Sequence, residues 1–194
     1  MKSVMRVFAL MIVLTVGMSA AFASDNYVHR VTLTPQLVYQ HIYYKDQKYG
    51  DLDTLGAGMG LEYGYRLSSG TEACGSVSVE HYSYPGFYDY LDLKMAAKVK
   101  QQLFTVGNGP YAVFKANAGA GADWVFKSNG EKELYFLVLG GLSMDVLSAN
   151  RYSEPYIGLK VEAQGTFQGG STVLHVLGGL EISYSFGGSN GGSK

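Results

Sequence analysis

The sequence predicts an all-β protein, with eight antiparallel strands joined up and down and closed as a barrel. Three observations predict it. Hydrophobicity alternates with period two along most of the chain, which is the strand period. Glycine (26) and tyrosine (16) are abundant, proline (4) is scarce and only 16% of residues are charged, a balance that fits sheet better than helix or disorder. Turn chemistry recurs between the alternating runs, in LSSG at 67–70, GNGP at 107–110, KSNG at 127–130 and FQGG at 167–170. Such short connections imply that neighbours in sequence are antiparallel neighbours in space.

The N-terminus precedes the pattern. Lys2 and Arg6 come before the apolar run FALMIVLTVGM, and SAAFAS then offers a small-x-small site with Ala21 and Ala23 before Ser24. That order makes a secretory signal peptide, so residues 1–23 are expected to direct Sec export and to be removed after Ala23. Two of the 15 basic side chains lie there, which leaves 13 against 16 acidic ones. The acidic balance and the export signal disfavour nucleic-acid binding. No helix-length apolar stretch follows residue 23. Residues 24–186 read as one domain, and 187–194 (GSNGGSK after Gly187) as a flexible Gly/Ser tail.

The strands follow in order. The first, about 30–44, is the least regular, with Leu33, Leu37 and Tyr39 on one face. The second, 54–66, sets Leu55, Ala57, Met59, Leu61, Tyr63 and Tyr65 against Gly56, Gly58, Gly60, Glu62, Gly64 and Arg66. It is no dinucleotide loop, because that fingerprint wants glycine where Leu61 stands, with a helix to follow. The third, about 72–83, separates Ala73, Val77 and Val79 from Ser76, Ser78 and Glu80. The fourth, about 90–104, sets Leu91, Leu93, Met95, Ala97 and Val99 against Asp92, Lys94, Lys98 and Lys100, and its parity fails after Gln101, which predicts a bulge. The fifth, about 111–126, puts Phe114 to Phe126 at even positions against Lys115, Asn117, Gly119, Gly121 and Asp123. The sixth, about 133–147, has Leu134, Phe136, Val138, Leu142, Met144 and Val146 on one face, and Asp145 on the other. The seventh, about 155–167, sets Ile157, Leu159, Val161 and Ala163 against Tyr156, Gly158, Lys160, Glu162 and Gln164. The eighth, about 172–186, sets Leu174, Val176, Leu180, Ile182, Tyr184 and Phe186 against His175, Gly179, Glu181, Ser183 and Ser185.

Which face points inward is decided by three features. Glycine concentrates on the polar face, where on a solvent face it would only weaken the strand; inside a narrow barrel it makes room for long side chains. Aromatics gather near strand ends: Tyr82, Tyr84, Phe87, Tyr88, Tyr90, Trp124, Phe126, Phe136 and Phe167 toward one rim, and Tyr63, Tyr65, Tyr111, Tyr156, Tyr184 and Phe186 toward the other. Two girdles suit a bilayer with two interfaces. The apolar faces run about 9–11 residues, enough for a tilted strand to cross hydrocarbon. The barrel is therefore expected to be transmembrane, apolar to lipid and polar within.

The signal peptide, the eight alternating strands and the last strand GLEISYSF resemble the small eight-stranded outer-membrane proteins of the OmpA, OmpX and OmpW kind. LEISYSF, ending in Tyr184 and Phe186, is similar to the C-terminal signal that such proteins show to the barrel-assembly machinery, although eight residues follow Phe186. The resemblance implies an outer-membrane location, contact with outer-membrane lipids and a monomer.

The predicted lumen carries both signs: Glu62, Arg66, Glu80, Asp92, Lys94, Lys98, Lys100, Lys115, Asp123, Asp145, Lys160, Glu162 and Glu181. Opposite charges in a narrow interior should pair, since a lone buried charge is costly. The first reading is a packed polar lumen with a structural or surface role and no catalysis. The second is a narrow pore, or a conduit for small hydrophobic compounds such as OmpW-like barrels have, for which Leu137, Leu139, Val173 and Leu177 point inward. The third is an enzyme. His81 and Ser83 in EHYSYPG are similar to the His-x-Ser pair of outer-membrane lipid A deacylases, and positions i and i+2 share a strand face. Glu80 points the other way. His29, His41 and His175 show no metal-ligand spacing with acids or with the single Cys74, and no cofactor motif is present. The outward loops, about 45–54, 84–90, 127–132 and 168–171, are short, and YPGFYDY at 84–90 is the best exposed recognition segment.

Overall fold

A computed structural model describes residues 29–44, 52–68, 70–83, 89–107, 111–147, 156–168 and 171–186. The expected signal peptide, the Gly/Ser tail and residues 84–88 lie outside the described residues. The strands are β1 (His29–Tyr44), β2 (Leu52–Arg66), β3 (Thr71–Ser83), β4 (Asp89–Val106), β5 (Tyr111–Lys127), β6 (Lys132–Leu147), β7 (Tyr156–Gln168) and β8 (Ser171–Phe186). Each pairs antiparallel with its neighbour in sequence, and β1 also pairs with β8, so the sheet closes as a barrel. Closure removes every free sheet edge, which a strand needs before it can leave water.

The parity predicted from the sequence holds around the wall. Outward positions are apolar and exposed, as with Leu37 (71%) and Leu55 (75%), while Glu80 and Asp123 are wholly buried within. The charged side chains at outward strand positions are Asp53, Asp89 and Lys132, all at the end of the barrel that carries the 128–131 turn. We call this end upper and the end with His29 and Phe186 lower. Among the described residues no helix is long and apolar enough to cross a membrane; the apolar exterior is made by strands. A soluble barrel would expose the opposite faces, so this is the transmembrane form of the fold.

Local devices set the register. The ladder between β4 and β5 shifts between Gln102 and Phe104, just beyond the point where the alternation fails. The extra residue lets Leu103, Phe104 and Val106 all stay exposed. At the β5–β6 turn Gly130 takes φ +89°, a conformation that favours glycine, and its amide donates to the Lys127 carbonyl at 2.9 Å.

The glycines of β2 thin the inner wall as expected. A Cβ on Gly56 would lie 2.5 Å from Tyr82 Cδ1 and 2.6 Å from the His81 carbonyl oxygen. On Gly58 it would lie 2.5 Å from the Val79 carbonyl oxygen and 2.8 Å from Glu80 Cγ. The absent side chains are the space that Tyr82 and Glu80 occupy.

Three members of the expected girdles turn inward. Tyr82 is fully buried in the lumen, Tyr90 packs on the lumen cluster and lines the upper cavity, and Tyr156 is buried with its hydroxyl 3.2 Å from Arg30 Nη1. All three share the parity of lumen residues on their strands, and parity overrides the tendency of terminal aromatics to face lipid. The lower girdle keeps Tyr63, Tyr184 and Phe186, all exposed, with the Phe186 and Tyr184 rings 6.2 Å apart and Phe186 stacked on His29 at 5.2 Å. Phe136 and Phe167 are exposed toward the upper end.

Candidate functional site: the barrel lumen

The inward positions carry the chain's buried charge. Strand parity delivers Arg30 from β1, Glu62 from β2, and Glu72 and Glu80 from β3. It also delivers Asp92, Lys94, Lys98 and Lys100 from β4, Lys115 and Asp123 from β5, Asp145 from β6, Lys160 and Glu162 from β7, and Glu181 from β8. Alternation at two residues stacks these side chains in layers down the axis.

The lower and middle lumen is one ion-pair network. Arg30 contacts Glu72, Asp145 at 3.1 Å and Glu62 at 3.8 Å. Lys100 Nζ sits 2.6 Å from Glu62 and 3.3 Å from Glu181. Lys98 bridges Glu62 at 3.3 Å and Glu162 at 3.2 Å. Lys115 bridges Asp145 at 2.8 Å and Glu72 at 3.0 Å, and Lys160 lies 3.7 Å from Glu162. Five cations, Arg30, Lys98, Lys100, Lys115 and Lys160, thus face five carboxylates, Glu62, Glu72, Asp145, Glu162 and Glu181. Most contacts join strands that are not neighbours, so they cross the lumen. At mid-lumen the open space between Lys98, Lys160, Gln164 and Leu139 is about 20 Å³, room for a single water.

The upper lumen is built differently. Glu80 accepts from Tyr82, from Lys94 and from Gln36 at 2.8 Å. Lys94 also donates to Gln164 at 2.9 Å and lies 3.1 Å from His175 Nδ1, which is 3.0 Å from the Tyr82 hydroxyl. Asp92 (1% exposed) and Asp123 (0%) stand beside this group, and none of their four carboxylate oxygens has a hydrogen-bond partner. Val38, Ile42, Tyr82, Val173 and Leu177 pack as an apolar cluster across from them. Above lies a cavity of about 140 Å³, lined by Gln40, Asp92, Asp123, Glu133, Tyr135 and His175 among others. Lys127 at its mouth is paired with Glu133 at 2.8 Å and Glu131 at 3.2 Å. In the turn, hydrogen bonding with Asn129 and then Lys127 holds the Glu131 carboxyl below its ordinary range.

Of the expected lumen residues, twelve are buried inside the barrel: Glu62, Glu80, Asp92, Lys94, Lys98, Lys100, Lys115, Asp123, Asp145, Lys160, Glu162 and Glu181. Arg66 shares their parity but ends β2 half-buried at the lower mouth, outside the buried set. Leu137, Leu139, Val173 and Leu177 are inward and buried. His81 and Ser83 share the outer face and are exposed, with Glu80 turned into the lumen. Ser83 uses its carbonyl to accept from Thr54 at 3.1 Å, and among the described residues no hydrogen bond joins its hydroxyl to His81.

Sequence reasoning missed Arg30, Glu72, Tyr82 and the role of His175; Tyr156 stands on the polar face of its strand but counts by residue type with the lower girdle. The parity of β1 was the available signal for Arg30, since Arg30, Thr32, Thr34 and Gln36 alternate with Val31, Leu33 and Pro35. His175 is brought within reach of acids by the closed barrel: one ligand atom from each of Glu80, Asp92 and His175 lies within 4.8 Å of the others. Strands β3, β4 and β8 supply them, so linear spacing carried no trace of the cluster.

No protein-family model matches the chain, and no curated protein matches it in sequence. Among solved structures it is similar to Ail, the attachment invasion locus protein of Yersinia pestis, at 10% identity, over 83% of this chain and 100% of that one, with a TM-score of 0.49. It is similar to the Neisserial surface protein A at 11% identity, over 78% and 96%, with a TM-score of 0.46. The outer membrane protein OprG from Pseudomonas aeruginosa follows at 10% identity, over 84% and 98%, with a TM-score of 0.47. The likeness is one of fold.

Proposed function

We propose that the chain is a bacterial outer-membrane barrel whose polar lumen is a closed plug, with a structural or surface role and no catalysis. One observation carries the reading: the balanced ion-pair network across the lower and middle lumen, with about 20 Å³ left at its centre. A hydrated ion needs a continuous water column, and opening one means separating charges that compensate each other in a low dielectric. The apolar belt and the export signal support the outer-membrane location, with the lower end periplasmic. The exposed Tyr184 and Phe186 support recognition by the barrel-assembly machinery. Among the described residues no hydrogen bond orients His81 as a base, so a lipid A deacylase reading has little support.

Planar-bilayer recording tests the plug. Reconstituted protein should give no large, stable single-channel currents at neutral pH; such currents would refute the reading. The inward apolar wall of Val38, Ile42, Leu137, Val173 and Leu177 favours a second reading, passage of small hydrophobic compounds. Uptake of such a compound into proteoliposomes above the rate of empty vesicles would favour that one.

A further inference from the structure

The charge in the two halves of the lumen is arranged differently. Below, every cation has carboxylates and every carboxylate has a cation. Above, Lys94 alone faces Glu80, Asp92 and Asp123, and it is engaged by Glu80. Lys127 is held at the rim by Glu131 and Glu133. Asp92 and Asp123 are therefore buried carboxylates with no ion pair and no hydrogen bond. An uncompensated buried charge is among the costliest features a fold can carry. With both ionised, the missing compensation would amount to two positive charges, the charge of one divalent cation.

The neighbouring histidine is prepared in a matching way. His175 is wholly buried and lines the upper cavity. Its Nδ1 lies 3.0 Å from the Tyr82 hydroxyl, which gives its own proton to Glu80, and 3.1 Å from the Lys94 ammonium, while its Nε2 has no partner. A metal-ligating imidazole donates its other ring N–H to an acceptor; the Tyr82 oxygen can take that proton from Nδ1 once Lys94, which can only donate, gives up its contact with the ring. Donor atoms of His175, Asp92 and Glu80 lie within 4.8 Å of one another, close enough to share one ion at ligand distances of about 2.0–2.2 Å. Imidazole plus carboxylate is a donor set for a first-row transition metal.

We propose that the upper lumen binds one divalent transition-metal ion, with His175 and Asp92 as ligands, Glu80 as the third donor and Asp123 supplying the second balancing charge. The ion reaches its place through the upper cavity. Nothing in this reading depends on whether the lower lumen conducts.

The test uses the untagged chain, folded in detergent and stripped with EDTA, then dialysed against zinc. The expected result is one zinc per chain, with affinity lowered at least tenfold in Asp92→Asn and in His175→Gln, and unchanged in His41→Ala at the rim. Heat-modifiable mobility on a gel reports that each variant is folded. If a lumen variant does not fold, cobalt bound to the unmodified chain decides, because an imidazole ligand gives a hyperfine-shifted exchangeable proton in the NMR spectrum. No retained zinc, equal binding in the lumen variants, or cobalt binding without that proton would each overturn the site.

Discussion

Lys100 is the most informative single residue to remove. Its Nζ lies 2.6 Å from Glu62 Oε1 and 3.3 Å from Glu181 Oε1, and the side chain is 1% exposed. With an effective dielectric of about 20 these contacts are worth roughly 6 and 5 kcal/mol before desolvation is subtracted. Burial costs each ion several kcal/mol, so the net value of the cluster is small. Lys100→Met keeps the volume and leaves that cost standing. Glu62 retains Lys98 and Arg30, whereas Glu181 loses the one cation paired with it among the described residues. The expected loss is about 3–5 kcal/mol, the range for breaking a buried pair from one side. Adding Glu181→Gln should restore at least ~1.5 kcal/mol, because the orphaned charge is gone. Reversible urea unfolding in lipid vesicles, followed by Trp124 fluorescence, measures both. A single variant within about 0.5 kcal/mol of the parent, or a double variant less stable than the single, would refute the network as the source of lumen cohesion.

Further outcomes follow from the wall and the last strand. Gly56→Val drives a side chain into Tyr82 and the His81 carbonyl and should cost about 1–3 kcal/mol in the same unfolding assay; Gly178→Ala, with nothing within 4 Å, should be neutral or stabilise by up to ~1 kcal/mol. Val161→Arg, in the middle of the exposed belt beside Leu142, should cost about 2–4 kcal/mol in vesicles and much less in detergent, where a headgroup is near. Phe186→Ala should reduce the amount of folded barrel in cell envelopes while refolding in detergent is nearly unchanged; equal losses in both would place its role in stability. Ser83→Ala should leave lipid A masses unaltered by mass spectrometry, and a shift that appears on expression and vanishes in this variant would restore the enzyme reading.

The strands were legible because burial on one side writes period two into the sequence. In a barrel with lipid outside, that period is nearly unbroken: Leu55 to Tyr65 never falters, and β2 spans Leu52–Arg66. Even the failure of alternation after Gln101 was informative, since the register shift sits between Gln102 and Phe104. Two kinds of fact were not legible. Residue type points Tyr82 and Tyr90 to the interface, whereas their parity, shared with Glu80 and Asp92, places them inside; for Tyr156 the two signals conflict, and its parity, shared with Gly158, wins. The Glu80–Asp92–His175 cluster was hidden for a deeper reason. Alternation tells which face a side chain takes, and says nothing of which side chains meet across the axis; that depends on the stagger of strands around the closed wall. Lys94 reaches His175 over a separation of 81 residues, a relation no local window contains.

The pairing of β1 with β8 brings His29 opposite Phe186, and this has a consequence in time. The Arg30–Asp145 contact spans 115 residues, Arg30–Tyr156 spans 126 and Thr32–Ser183 spans 151. Such contacts cannot form while the chain is being extended, and folds dominated by them assemble slowly. Until the final strand docks, Arg30 and its partners must stay hydrated or shielded. The interior of this barrel is therefore its last part to exist, and the first strand has to be kept from competing partners until the eighth arrives.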